Sequence, residues 1–364
     1  MEKSSGMERL RIILAITGKD IRDALRNKIL ISIMIGVALV VAQGKALPLL
    51  LKLSDTARVA IYNQADESLI TTLRAGGGME VIEVASPQGL GTVLAEASGD
   101  MIGIVIPAGF GEGGDLDPSF SLEAFYPYWM DPEEIAELER IAESELSAVV
   151  GVPVDINTQG NAIHPQVDSG GQTFMTALVV VLLTTMICII IVPYLMVEEK
   201  EAHTLDALLV SPARVGEVVI GKALAGLTYG LAAGTVVMLF YQAQVVHWWI
   251  AIAACVIGSM LAIALGLMLG SLFDNMANMN LWMGLLLVIL IAPVLLIRYM
   301  PPQWPAIISD ILPWWPTVAL YRSYMLSFTA APSLMQAFGY LGIILASAIV
   351  VLAFVARIVR RSDR

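Results

Sequence analysis

Residues 198–222 read EEKEAHTLDALLVSPARVGEVVIGK and lie between two runs with no Asp, Glu, Lys or Arg, 172–197 and 223–273. A helix needs about 20 apolar residues to cross a hydrocarbon core. Both runs are long enough, so the stretch between them reads as a charged hairpin tip joining two membrane spans. Glu198, Glu199, Lys200, Glu201, His203 and Asp206 crowd its first part, and Leu205, Leu208 and Leu209 add an apolar stripe at helical spacing. Ser211-Pro212 ends that helix, because proline lacks the amide proton and restricts the residue before it. A second short helix is expected through Gly216 into the next span. A surface helix with an apolar stripe and a charged back suits docking into a groove on a soluble partner.

Composition points the same way. Of 364 residues 57% are hydrophobic and 15% charged, the balance of an integral membrane protein rather than a soluble globule. The net charge of −11 is unevenly spread. Residues 52–171 carry 20 acidic and four basic side chains, or −16, and the remaining 17 basic and 12 acidic ones leave +5. An acidic module between basic membrane parts argues against nucleic acid as a partner. Cys188 and Cys255 both fall in apolar runs, so no disulfide framework is expected. The 28 residues before the first span are too many for an ordinary signal n-region, and no cleaved signal is expected.

The apolar runs predict six spans: 29–51, 172–197, 223–244, 248–273, 278–297 and 336–358. Ahead of the first, Leu10, Ile13, Leu14, Thr17, Ile21 and Leu25 share one helical face, with Arg9, Arg11, Lys19, Arg22, Arg26 and Lys28 elsewhere. That is a basic amphipathic helix for an anionic membrane surface, within residues 1–28. Lys45, near the end of the first span, can snorkel toward an interface. Basic residues set the orientation. The seven before the first span, Lys200, Arg214 and Lys222 in the hairpin, and Arg357, Arg360, Arg361 and Arg364 near the end all fall on one side of six spans. Both termini, including the tail 359–364, are then expected on the cytoplasmic side of a cell membrane (inner or plasma), with 52–171 outside. Segment 298–334 falls outside too. Its prolines cut it into pieces too short to span, and Tyr299, Trp304, Trp314, Trp315 and Tyr321 suit the headgroup layer, so interfacial or re-entrant helices are expected.

Within 52–171, the segments ARVAIYN (57–63), MEVIEV (79–84) and MIGIVIP (101–107) read as strands rich in β-branched residues, separated by two helices in a βαβαβ order. FSLEAFY (120–126) reads as a further strand. DPEEIAELERIAESELSAVV (131–150) reads as an acidic helix with Asp131 as cap and Pro132 in its first position. Its carboxylates are read as a solvated face. The expected fold is thus an α-helical membrane bundle of six transmembrane helices with an inserted α/β extracytoplasmic domain.

Other patterns carry less. Gly216-x4-Gly221-Lys222 has the spacing of a phosphate loop, but Ala223 stands where that motif needs Ser or Thr, and no strand precedes it. No other nucleotide-binding signature occurs, so any ATP and magnesium used are expected on a separate polypeptide, with no cofactor bound by this chain. Gly226, Gly230 and Gly234, and Gly258, Gly266 and Gly270, form small-residue faces that let helices approach closely, within one bundle or between protomers. Pro193 and Pro293 sit inside spans, and Asp274 at a span end is read as a cap. His164, His203 and His247 have no ligand spacing, so no metal site is expected. No nucleophile–base pair is visible, and intramembrane charges are scarce, which weakens an ion-driven transporter.

The order of residues adds a resemblance. A span ending in Glu-Glu-Lys-Glu, a Thr-Leu-x-x-Leu-Leu-Val-Ser-Pro core and a Gly-Glu-Val-Val-Ile-Gly-Lys lead into the next span together resemble the permeases of type-2 ATP-binding-cassette exporters. Span order and loop sizes extend the likeness over nearly the whole chain. The resemblance implies a transport subunit without catalytic activity of its own, paired with a cytoplasmic ATPase subunit and a second permease copy, identical or related. It implies that Glu198, Glu199, Lys200, His203, Thr204, Leu205 and Leu208 form the coupling helix that meets the ATPase. A membrane-anchored sensor or scaffold and an ion-driven secondary transporter are the rival readings.

Overall fold

The computed structural model describes residues 2–26, 31–32, 35–36, 39, 56–110, 121–201, 215–299 and 304–362. The hairpin tip with His203, Thr204, Leu205 and Leu208 lies outside these, as do most of the expected first span, 29–51, and Lys45.

A helix, α1 (Glu2–Arg26), opens the chain. Residues 57–163 then build a six-stranded sheet, ordered β2-β1-β3-β4-β5 with β6 also paired to β4. The strands are β1 (Ala57–Asn63), β2 (Met79–Val84), β3 (Ile102–Ile106), β4 (Ser121–Pro127), β5 (Asp155–Asn157) and β6 (Ala162–Ile163). Helices α2 (Glu67–Gly76) and α3 (Pro87–Ala95) link β1 to β2 and β2 to β3, and all three strands run parallel. β4 returns antiparallel to β3. The period-2 alternation of β1 divides its side chains between two cores. Val59 and Ile61 pack under α2 and α4 (Pro132–Val150), whereas Ala60 packs against Leu90 and Leu94 of α3. The short strands β5 and β6 escape the sequence pattern, since two or three residues show no periodicity.

The acidic helix α4 begins as expected, with Pro132 in its first turn and the Glu134 carboxylate accepting from the Asp131 amide at 3.3 Å. Its carboxylates do more than meet solvent. Glu143 accepts from the Ile156 amide at 3.0 Å and Glu139 from the Thr158 hydroxyl, so α4 clamps β5 against the sheet.

Five helices among the described residues are long and apolar enough to cross a membrane. They are α5 (Gly171–Glu201), α6 (Val215–Phe240), α7 (Trp248–Leu272), α8 (Met276–Tyr299) and, after two short helices, the last, Leu334–Ser362. The central pair is α5 and α7: 67% and 72% of their most apolar windows are buried, against 17% for α8. The helices overrun the apolar runs at several ends. α5 carries on through Glu198–Glu201, and α6 starts at Val215 and stops at Phe240, short of the 244 expected. Within the region expected at the headgroups lie α9 (Ala306–Ile311) and α10 (Pro316–Phe328). Trp304, Trp314 and Tyr299 are exposed there, but α10 is buried along its length, Tyr321 included, and packs on α5, α7, α8 and the last helix, α11. The headgroup expectation for Tyr321 is corrected: aromatic residues at a helix start suit either an interface or a core, and packing decided for the core.

The sheet module sits on one end of the bundle. The Gln172 amide at the start of α5 donates to the Ala97 carbonyl at 2.8 Å, and the Tyr128 hydroxyl donates to the Gln244 carbonyl at 2.9 Å. Gly171 has φ of 62°, and a Cβ there would come within 2.1 Å of the Glu96 carbonyl oxygen, so only glycine fits this junction. His164 packs on Tyr128 with ring centroids 4.7 Å apart. Burial lowers the His164 pKa, opposed by the Phe328 carbonyl. A depressed folded-state value means stability present above the unfolded value, near 6.5, and lost as pH falls through the folded one. The thermal unfolding midpoint is therefore expected to fall between pH 7 and pH 5 more steeply in the native chain than in His164→Phe, which keeps the ring contact.

Candidate functional site

At the far end of the bundle from the sheet, α1 lies across the start of α6 and the end of α5. Its helical pitch divides it into two faces. Ile16 and Asp20 are buried against the protein, while Met7, Leu10 and Leu14 stay exposed on the side available to a membrane. Close approach is possible because residue 221 is glycine: a Cβ there would stand 2.7 Å from Ile16. The Thr17 hydroxyl lies 3.1 Å from the Gly221 carbonyl it can donate to, and the Tyr229 hydroxyl donates to the Ile21 carbonyl.

The centre of this joint is an ion cluster. The Lys222 side chain is 1% exposed, and its ammonium faces Glu199 Oε2 at 2.7 Å, Asp20 Oδ2 at 3.3 Å and the Leu195 carbonyl at 3.3 Å. Those are three acceptors for three N–H donors. The other Glu199 oxygen takes Lys19 at 2.8 Å. Two lysines and two carboxylates from α1, α5 and α6 thus cancel in charge, as a buried group of ions must. Burial pushes the Asp20 carboxyl up, and the Lys222 ammonium opposes that shift. Arg9 and the buried Glu217 form a second, looser link between α1 and α6 at 3.8 Å.

The next two residues of α5 reach the opposite way. Lys200 pairs with Asp274 at 2.8 Å and donates to the carbonyl of Phe273, the residue that caps the end of α7, at 3.1 Å. Glu201 accepts from the Met276 amide at 2.8 Å, an anion at the N-terminus of α8, where the helix dipole favours one. Asp274 is therefore a partner of Lys200. The α8 cap is Asn275, whose side-chain Oδ1 accepts from the Ala277 amide at 2.8 Å, which corrects the expectation for Asp274. The last turn of α5 is tied to α1, α6, the end of α7 and the start of α8.

The family described as ABC-2 family transporter protein matches residues 28–357. This chain belongs to that family. No curated protein matches it. An ABC-2 chain is a membrane component of a transporter, in general without catalytic activity and working with an ATPase partner.

Of the residues singled out in this permease sequence, the structure brings Glu199 into the ion cluster and Lys200 onto α7, and leaves Glu198 exposed. The small-residue faces turn inward. Cβ atoms at Gly226, Gly230 and Gly234 would meet Val192, Cys188 and Cys255, at Gly258 Leu320, and at Gly266 and Gly270 Pro193 and Met196. Among the described residues no three His, Cys, Asp or Glu side chains converge as a metal site. Sequence reasoning missed Asp20 and Lys222 as partners. Asp20 was legible as an oddity, a carboxylate one turn from Ile16 and Thr17 on the apolar side of α1, and Lys222 as a lysine between apolar residues at a span's edge.

Proposed function

We propose that this ABC-2 permease is the membrane-spanning subunit of an ATP-driven exporter. Its hairpin between α5 and α6 receives a separate cytoplasmic ATPase. The observation that carries this reading is the last turn of α5, where Glu199, Lys200 and Glu201 engage α1, α6, α7 and α8 through buried or short polar contacts. A push on the hairpin tip is passed to four helices at once, because the joint has little slack. His203, Thr204, Leu205 and Leu208 would meet the ATPase, with Leu205 and Leu208 filling its groove and Glu198 facing its charged rim. Glu199 and Lys200 would act from behind, holding the hairpin base. ATP and magnesium belong to the partner, and closure of two ATPase domains would rock α5 and α6 to move cargo outward.

In this reading residues 29–51 are a sixth span, both termini are cytoplasmic in the cell membrane, and the acidic sheet module is extracytoplasmic. Two copies, or one copy and a relative, enclose the path, a closed two-fold assembly being the commonest arrangement. The exposed apolar side chains of α8 and α11, among them Leu281, Trp282, Val288, Phe338 and Val350, face lipid or that second copy.

The test is Leu205→Ala with Leu208→Ala in the permease reconstituted with its ATPase. Loss of two groove-filling side chains is expected to weaken ATPase binding by about 10-fold or more, the scale of a truncated interface anchor. ATP-dependent transport falls with it, while the thermal midpoint stays that of the native chain. Unchanged transport would remove the coupling claim. A sensor or scaffold would show no ATPase co-purifying through 198–222, and an ion-driven carrier would stop when the ion gradient collapses with ATP still present.

A further inference from the structure

Where the sheet module meets the bundle, a cavity of about 450 Å³ opens between α3 and the segment that follows β6. Gly91 and Ala95 of α3 and Glu96, just past its end, border it on one side, and Ile163, His164 and Asp168 on the other. Gly91 and Ala95, four residues apart, share one helical face, and Leu90 and Leu94 beside them are buried in the sheet core. The size is that of small-molecule sites, which combine mostly apolar walls with a few placed polar groups. Gly91 is informative. Glycine is unfavourable inside a helix, yet a Cβ at Gly91 would meet nothing within 4 Å, so packing does not require it there. Its effect is to keep the cavity floor open.

The charges at this cavity are acidic. Glu96 and Asp168 line it, whereas Arg298 and Arg322, which pair with them at 3.4 and 3.6 Å, do not. Both pairs are longer than a tight charge-assisted hydrogen bond and carry a partly or largely exposed carboxylate, so an incoming cation exchanges for either arginine at little cost. His164 adds no opposing charge, because burial keeps its ring neutral near pH 7. The surplus of acidic groups over 52–171 raises the local concentration of cations.

We infer that this cavity binds a small amphipathic cation, its ammonium on Glu96 and Asp168 and its apolar body over Gly91, Ala95 and Ile163. Binding frees Arg298 of α8 and Arg322 of α10 from the sheet module, so occupancy is felt by two bundle helices. The assignment rests on the cavity alone and holds whether or not the bound molecule is carried across.

The experiment uses the full chain in lipid nanodiscs, titrated calorimetrically with 4-phenylbutylammonium, and with 4-phenylbutanoate and 4-phenylbutanol as matched anion and neutral probes. Empty nanodiscs correct for partition into lipid. One saturable site per chain is expected for the ammonium, at least tenfold tighter than for either control. Glu96→Gln with Asp168→Asn is expected to weaken it at least tenfold, and Gly91→Leu, which fills the cavity, to abolish it with a thermal midpoint no lower than that of the native chain. Absence of saturable ammonium binding, equal or tighter binding of the anion, or full binding by the carboxamide variant would overturn the inference. Should Gly91→Leu fail to fold, the carboxamide variant, altered only at exposed or half-exposed side chains, decides alone.

Discussion

Lys222→Met is expected to destabilise the folded permease by about 3–5 kcal/mol, the scale set by breaking a buried ion pair. The variant leaves the Asp20 carboxylate, 3% exposed in its side chain, without its cation, while Glu199 keeps Lys19. Most of the cost is that stranded charge rather than the lost attraction, and this makes the prediction specific. Lys222→Met combined with Asp20→Leu removes both members, leaves Lys19 and Glu199 balanced, and is expected to recover most of the loss, as replacing a whole buried pair by apolar groups often does. Thermal unfolding of the two variants and the native chain in one detergent gives the comparison. If the double variant is as unstable as the single one, the cluster is not an isolated, charge-balanced joint. Lys222→Arg is not a conservative substitute here, since a planar fork does not reproduce three contacts made by a compact ammonium.

The second large effect is expected at Gly230, between the central helices. A Cβ there would stand 2.5 Å from Cys188 Sγ of α5 and 3.0 Å from Ser259 Oγ of α7, so Gly230→Ala wedges two helices at once. Overpacking of this kind costs about 1–3 kcal/mol. Gly258→Ala is expected to cost less, because the atoms nearest its Cβ, at 2.8 and 3.0 Å, are the far methyls of Leu320, which can turn aside. Cys188→Ala should rescue part of the Gly230→Ala loss by removing the sulfur. Unfolding midpoints of the three variants check the order, and a Gly258→Ala deficit larger than that of Gly230→Ala would contradict this account of the packing.

Much of the architecture was legible because it is written in local pattern. Apolar runs marked the five long apolar helices that the structure describes, and β-branched segments marked β1 to β4. Asp131-Pro132 marked the start of α4, and the glycines spaced four apart marked faces that in the structure admit neighbouring helices. What stayed hidden was tertiary. Asp20 and Lys222 are 202 positions apart, and no periodicity in either helix says that they meet. Lys222 was read as one more positive charge fixing orientation and as the end of a rejected phosphate loop, both of which treat it as solvated. The same applies to α10. Its prolines and aromatic residues describe a short helix equally well at a headgroup layer or in a bundle core, and contacts with α5 and α7 decide. The role of Asp274 went to Asn275 for a similar reason: once Lys200 held the aspartate, the neighbouring amide was left to cap α8.

The cluster also changes how the hairpin is probed. Glu199→Ala would disturb Lys222 and Lys19 inside the protein, so a functional loss in that variant speaks to the joint and not to a docking contact. Leu208, in the tip, separates the two.

The most direct measurement is therefore a photo-crosslinking amino acid at position 208, activated in native membranes of cells making the full-length protein. The account predicts an adduct with a soluble, nucleotide-hydrolysing polypeptide on the cytoplasmic side, formed in good yield. An adduct with no such protein, or a residue 208 that reacts with a membrane-impermeant reagent from outside the intact cell, would contradict it.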